Sequence, residues 1–435
     1  MLADKNLLST PNRVQVPWVK VTIGDIYTFG VYDRNTYNLK VHDKVIAKDV
    51  FGVEYPNYIQ NLRITKINGQ VNKYNLGISY PITQFDDPNF FEKVFSKASG
   101  GRKIVFSYGD INQPGFVYRD EEAIITKISQ SFSLENSRID YTIEAVSAAS
   151  LTTVSRVNHF FSSEEVKPSD EIKKLFINDL SLQKTFSGMS LQKLDQYIPG
   201  DDQKVKVQTQ KDLSALDLIS YLVGCMRPLD APQGLPTANY ILTIHDNPGA
   251  YNEQTGVVEG SGPYFKIEKV DQNIDRPDAY TITVGYNTRD IVTQFQIENN
   301  ENYALFFEYQ NDICPKKYVR RLNKQGQWED EYAPIITSKN SNGVSMTTDE
   351  NWWKLITQYP INASIKILGL LRPATLMQYV RLNVVFPGGH KHISSGLYLV
   401  TKQEDSIDST GYFTTLGLTK IAGDMDVAPE IIRKK

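Results

Sequence analysis

With 435 residues the chain is too long for one ordinary domain, and three or four are expected. Its 40% hydrophobic and 22% charged residues are those of a globular protein, and a formal charge of -3 is too small to argue for nucleic acid or an anionic membrane surface as a partner. Two cysteines, Cys225 and Cys314, lie far apart in no CxxC spacing, which argues against a disulfide framework or a structural zinc site.

The first residues, MLADKNLLSTPNRVQVPWVK, lack the apolar core of a signal peptide. No later run approaches the roughly 18 apolar residues that span a bilayer, so the expectation is a chain made in the cytosol with no membrane span. The 25 tyrosines and 19 phenylalanines favour pleated, half-buried surfaces, and composition leans toward β.

From Leu62 to Tyr80 the text LRITKINGQVNKYNLGISY sets Asn68-Gly69 between two strand-like runs. Asn and Gly tolerate positive φ, so this predicts a hairpin with a type I′ turn. In DDPNFFEKVFSKASGG, Asp87 can cap, Pro88 suits the first helical position, and Phe91, Val94, Phe95 and Ala98 form one stripe before Gly100-Gly101. One short helix is therefore expected among strands. KIVFSYGD, EEAIITKISQSF and SRIDYTIEAVS follow as three more strands, the last alternating Ile139, Tyr141, Ile143 and Ala145 against polar neighbours.

The pattern then changes. SSEEVKPSDEIKKLFINDL places Ser169 and Asp170 before an amphipathic run, and TQKDLSALDLISYLVGCMRP puts Leu213, Leu216, Ile219 and Val223 on one helical face. Thr209 and Asp212 have the spacing of a capping box, and Pro228 would stop the helix. Strand patterns return in PYFKIEKV, AYTITVGY, DIVTQFQIENN and YALFFEYQ, before a polar stretch near 340 to 350. The last block holds Trp352-Trp353, INASIKILGL, QYVRLNVVFPGG and a hairpin, HISSGLYLVTKQEDSIDSTGYFTTLGLTKI, with Gly396 and Gly411 opening its strands and a polar turn from Gln403 to Thr410.

The fold class expected from these runs is mainly β (α+β) and multidomain, with two antiparallel β-barrels and a small helix-containing middle module. The boundaries fall at 1–155 for an N-terminal barrel with one helix, 156–250 for a small α/β module, 251–345 for a β-rich connecting domain, and 346–435 for a C-terminal barrel and tail.

Chemistry is sparse. The five histidines, His42, His159, His245, His390 and His392, sit in no nucleophile, zinc-protease or phosphate-loop motif. His390 and His392 have no supporting acidic or cysteine ligand, and His245-Asp246 precedes Asn247-Pro248-Gly249, for which an Asx-type turn is the simpler purpose. Acidic pairs at Asp86-Asp87, Glu121-Glu122, Glu164-Glu165 and Asp201-Asp202 fall at element starts, where carboxylates cap helices or keep strand ends soluble. The basic cluster Lys316, Lys317, Arg320, Arg321 and Lys324 surrounds Tyr318 in no nucleic-acid-binding motif, and a solvated face or subunit contact is expected there. Catalytic, cofactor and metal residues: none are assigned.

The order of elements resembles the trimeric baseplate hub proteins of bacteriophage tails, a family that also forms the base of bacterial contractile-injection spikes. Four stretches carry the likeness: the hairpin, helix and strand LRITKINGQVNKYNLGISY, NFFEKVFSKAS and KIVFSYGD; the helices around DEIKKLF and DLSALDLISYLVG; the segment TVGYNTRDIVTQFQIENNENYALFF; and NASIKILGLLRPATLMQYVRLNVVFPGG with the closing hairpin. The resemblance implies a structural virion protein with no reaction and no cofactor. It implies a homotrimer whose two barrels per chain are tail-tube-like and adapt a sixfold tail tube to a threefold central spike or tail-tip protein.

Partners would be the tail tube or distal tube protein, the spike and other baseplate proteins, with no specific nucleic-acid recognition. The location would be the virion tail tip. No segment matches the fused cell-wall hydrolase that some hubs carry, so a separate spike or lysin chain is expected. Two alternatives stand beside this reading: a hexameric distal tail ring, and a β-rich glycan-binding or glycan-cleaving receptor protein with Trp352-Trp353 as its sugar platform.

Overall fold

The computed structural model describes residues 17–23, 27–29, 31–33, 38–40, 59–81, 103–110, most of 121–229, 240–246, 251–252, 257–258, 262–270, 279–285, 292–299, 318–322, 328–332, 361–368, 376–386 and most of 391–423. The helix expected at 88–98, the strand YALFFEYQ, Trp352-Trp353, His42, His390, Cys314, Lys316, Lys317 and Lys324 lie outside the described residues. The fold is mostly β.

Its centre is a sheet of 13 strands. Eleven run as one path: Val292–Asn299, Ile361–Leu368, Gly411–Gly423, Gly396–Asp408, Ile59–Ile67, Lys73–Pro81, Arg138–Ser147, Glu121–Ser133, Lys103–Asp110, Pro17–Ile23 and Tyr27–Phe29. The strand Tyr379–Val385 adds antiparallel to Gly396–Asp408 and carries Tyr280–Gly285 in parallel on its other edge. Among the described strands this path is open. The two separate barrels of the sequence pattern are thus parts of one sheet, and among the described strands neither is closed.

Two-residue alternation builds the first core. Val19, Val21 and Ile23, Leu62 and Ile64, Leu76 and Ile78, Ile104 and Phe106, and Ile139, Tyr141, Ile143 and Ala145 all point inward and are buried. Tyr74 stacks on Phe106 with ring centroids 4.9 Å apart. Ile407 and Tyr412, from the far end of the chain, belong to the same core.

A second core forms where helices Pro168–Asn178, Leu180–Thr185 and Ala215–Cys225 pack around the antiparallel pair Tyr240–His245 and Tyr264–Lys269. Phe176 and Phe186 both meet Phe265 edge-on. Two caps differ from expectation. The last helix starts at Ala215, because Gln210–Ser214 is a strand paired with Arg156–His159; its cap is Ser214, whose hydroxyl accepts from the Asp217 N–H at 3.0 Å. Ser169 lies inside its helix, where its backbone N–H and hydroxyl both donate to buried Asp202.

The closing hairpin is the seam of the molecule. Gly396 and Gly411 open its strands with φ of 154° and 132°, angles that a Cβ disfavours. The turn is only Ser409-Thr410, held where the Thr410 N–H donates to Asp408 Oδ1 at 2.7 Å. Gln403 to Asp408, expected as a polar turn, instead continue the strand: Gly396–Leu399 pair with Leu382–Tyr379, and from Lys402 to Ile407 the same edge pairs with Ile67 to Leu62. A bulge between Val400 and Lys402 makes the change of partner.

The Asn68-Gly69 turn also departs from expectation. Only Gly69 has positive φ, at 72°, and the strands stop pairing at Thr65 and Lys73, so this is not a tight type I′ turn. The longer loop reaches two other segments: the Asn68 N–H donates to the Thr401 carbonyl at 3.1 Å, and the Gly69 N–H to the Leu242 carbonyl at 2.8 Å.

Candidate functional site

At one end of the first core the inward-facing series of five strands finishes in a polar group. Leu62 and Ile64 lead to Lys66, Ile78 and Leu76 back to Tyr74, Ile104 and Phe106 to Tyr108, Ile125 and Ala123 back to Glu121, and Ile143 and Ala145 to Ser147. The closing hairpin contributes Gln403, Asp405, Tyr412 and Thr414. Asp246, one residue past the Tyr240–His245 strand, enters from the helical module and is 2% exposed.

These groups bond to one another. Lys66 Nζ pairs with Glu121 Oε1, which also accepts from the Tyr108 hydroxyl at 3.0 Å. The Tyr74 hydroxyl lies 2.9 Å from Glu121 Oε2 and 2.8 Å from Asp246 Oδ2. Asn72 Nδ2 donates to Asp246 Oδ2 at 2.7 Å, and the Ser147 hydroxyl donates to Asp246 Oδ1 while accepting from the Ala149 N–H at 3.0 Å. Asp405 accepts from the hydroxyls of Tyr412 at 3.1 Å and Thr414 at 2.6 Å through Oδ1, and from Gln403 Nε2 through Oδ2. Tyr108 and Tyr412 meet edge to face at 6.3 Å.

Electrostatics follow from burial. Desolvation pushes the Asp246 carboxyl up to about 6 against the pull of Ser147 and Asn72, with Glu121 pushing the same way. Burial also pushes Asp405 to about 6, opposed by Thr414 and by Lys66. The Tyr74, Tyr108 and Tyr412 phenols are raised well above their ordinary value, first by burial and next by the carboxylates facing them. All three phenols therefore act as neutral hydrogen-bond donors.

The network is a joint between three stretches of chain. Glu121 is 0% exposed and Asp405 1%, so both carboxylates are turned into the core. The arrangement positions elements. A buried ion pair surrounded by satisfied donors adds little net stability but penalises any packing that separates its partners.

Other residues singled out in the sequence lie apart from it. His245 stacks on Tyr264 at 4.7 Å with Nε2 2.9 Å from the Thr243 hydroxyl, while its neighbour Asp246 enters the joint. His392 has Nδ1 2.6 Å from the Ser394 hydroxyl and packs edge-on to Phe386, and burial followed by the nearby Lys420 charge lowers its pKa. Arg320 and Arg321 stand on a strand pair, Tyr318–Leu322 with Trp328–Tyr332. Of the acidic pairs, Glu122 keeps the expected surface role with Lys103 at 2.8 Å, but Glu121 and Asp202 are buried. Among the described residues no three His, Cys, Asp or Glu side chains are grouped to hold a metal ion.

The joint is not legible in any one stretch of sequence, because each member sits in a separate run. The available signal was a charge in the apolar phase of an alternating strand: Lys66 continues Leu62 and Ile64, and Glu121 precedes Ala123 and Ile125 in the same phase.

No protein-family model matches the sequence, and no curated protein does. Solved structures do match in fold. The 43 kDa tail protein of prophage MuSo2 from Shewanella oneidensis superposes with a TM-score of 0.50 at 10% identity, over 94% of this chain and 100% of that one. A tail protein from Neisseria meningitidis MC58 gives 0.46 at 11% identity over 95% and 98% of the two chains, and an E. coli component of the type VI secretion system gives 0.42 at 9% over 84% and 74%. Along nearly its whole length the chain has the fold of a phage tail protein, that of prophage MuSo2.

Proposed function

We propose that the chain is a structural component of a phage-type tail, the hub that sits between the tail tube and the central spike or tail-tip protein. The observation that carries this reading is the likeness to the prophage MuSo2 tail protein, which takes in 94% of this chain and all of that one. A likeness spanning both chains concerns the arrangement of all the elements, not one widely shared module.

In this reading the hub is a homotrimer, with two sheet regions per chain giving pseudo-sixfold symmetry toward the tube and threefold symmetry toward the spike. The role is mechanical and calls for no cofactor. The long hairpin supports it: two halves of a sheet that share one pair of strands keep a fixed relation to each other, as an adaptor between two symmetries requires. The outer strands, Val292–Asn299 at one end of the path and Tyr27–Phe29 at the other, are the places where neighbouring subunits would meet.

Native mass spectrometry of the full chain, alone and with the tube and spike proteins of the same particle, tests this. Three copies per assembly are expected, with density for the chain at the tail tip in electron micrographs. Six copies in a ring would instead identify a distal tail ring, and a strict monomer that binds neither partner would end the hub reading.

A further inference from the structure

The Tyr74 hydroxyl has one proton and two carboxyl neighbours, Glu121 Oε2 at 2.9 Å and Asp246 Oδ2 at 2.8 Å. It can donate to only one of them. If both carboxyls were ionised, the other short contact would set a phenol lone pair against a carboxylate oxygen in a buried site, where water cannot relieve it.

Counting donors decides which group holds the extra proton. Glu121 accepts from Lys66, Tyr108 and Tyr74, which suits a carboxylate. Asp405 accepts from Tyr412, Thr414 and Gln403 and takes no part in the Tyr74 contacts. Asp246 accepts from Ser147 on Oδ1 and from Asn72 on Oδ2, and its remaining contact is the Tyr74 oxygen, whose own proton goes to Glu121. A proton on Asp246 Oδ2, donated to the Tyr74 oxygen, gives every short contact one hydrogen.

We propose that Asp246 is a proton-held latch: as the neutral acid it fastens the end of the Tyr240–His245 strand to the first core, and loss of that proton loosens the fastening. The groups facing it are Asn72 and Tyr74 from one hairpin, Ser147 from the strand behind, and Glu121. Beyond Glu121 stand Lys66, Tyr108, Asp405 and Tyr412. Among the described residues the cation paired with Glu121 is Lys66, which meets Oε1 and also reaches the Tyr108 hydroxyl, whereas Tyr74 meets Oε2. A new charge on Asp246 therefore faces the Glu121 carboxylate across one phenol.

The same segment carries three further ties that should loosen together: the Glu122 N–H to the Asp246 carbonyl at 3.3 Å, Asn72 Nδ2 to the Ile244 carbonyl at 3.4 Å, and the Gly69 N–H to the Leu242 carbonyl at 2.8 Å. Burial, which raises the Asp246 carboxyl to about 6, sets the range in which the latch would respond.

Amide hydrogen exchange on the intact chain, with infrared detection of protonated carboxyl groups on the same samples, tests the latch. In the natural sequence, protection factors at Gly69 and across Tyr240–His245 should fall by about tenfold or more between about pH 5 and about pH 8, while those of Ile139–Ala145 hold. A protonated-carboxyl band should disappear over the same range. Asp246→Asn, which keeps a neutral donor and acceptor, should lose the Asp246 share of that band, leaving that of Asp405, and should lose the pH response of the protection.

Ser147→Ala removes a hydrogen bond that favours the charged form, and should move the transition to higher pH. Protection that is unchanged with pH in the natural sequence, or a carboxyl band that Asp246→Asn leaves at full intensity, would overturn the proposal. If Asp246→Asn does not fold, the natural sequence and Ser147→Ala decide it: a transition that Ser147→Ala leaves in place or lowers also overturns it.

Discussion

Gly69 donates its backbone N–H to the Leu242 carbonyl at 2.8 Å, so the tip of a hairpin in the first core is bonded to a strand of the second. The bond depends on backbone shape, because Gly69 takes φ of 72° and a Cβ built there would touch nothing within 4 Å. Gly69→Ala therefore isolates conformational cost from packing. We expect a loss of roughly 1 to 2 kcal/mol in urea unfolding, with an unchanged fold by circular dichroism.

Lys66 and Glu121 form a buried pair, and removing one partner leaves the other charge unmatched. Lys66→Met and Glu121→Gln should each cost roughly 3 to 5 kcal/mol. The double variant should cost much less than the sum, and a double-mutant cycle by denaturant unfolding reads the coupling directly. Additive losses would show that the two side chains act independently.

Asp405 gives stability an unusual dependence on pH. Burial raises its carboxyl from 3.8 to about 6, so the folded state still holds a proton over a range in which the unfolded chain has released it. The sign is then fixed: this group's contribution is fully present below about pH 4, is lost as pH rises toward about 6, and is flat above that. Unfolding free energies measured across that range should show a falling component that disappears in Asp405→Asn.

Gly417 faces Lys402 just past the bulge of the closing hairpin, and a Cβ there would come 2.8 Å from Lys402 Cβ. That atom is close to the backbone and cannot swing away, so the strands must separate. Gly417→Val should destabilise by roughly 1 to 3 kcal/mol, and thermal unfolding measures it. Thr410→Ala at the exposed turn removes only a side-chain bond to Asp408 and serves as the mild comparison.

Much of this architecture is legible in the residues. Alternation in Ile139 to Ala145 and in the closing hairpin marks strands and their inner faces, and Gly396 and Gly411 mark where the hairpin strands begin. What cannot be read locally is pairing between distant segments. Gln403 and Asp405 look like turn residues because they are polar; they lie inside a strand because Ile64 and Lys66 stand opposite them. Asp246 looks like the start of an Asx turn for the same reason, and its partners Asn72, Tyr74 and Ser147 come from strands far earlier in the chain. Thr209-Asp212 and Ser214-Asp217 have the same capping spacing, and only the pairing of Gln210–Ser214 with Arg156–His159 decides between them.

The seam formed by Gly396–Asp408 and Gly411–Gly423 also sets an order of events in folding. Ile407 and Tyr412 fill the first core and Asp405 completes its polar end, yet these residues leave the ribosome after every other described element except the rest of their own hairpin. Until they arrive, the strand Ile59–Ile67 shows an unpaired edge and the charge of Lys66 lacks Asp405 nearby. Such long-range closure is slow and leaves a sticky intermediate. The N-terminal half, although made first, is finished last.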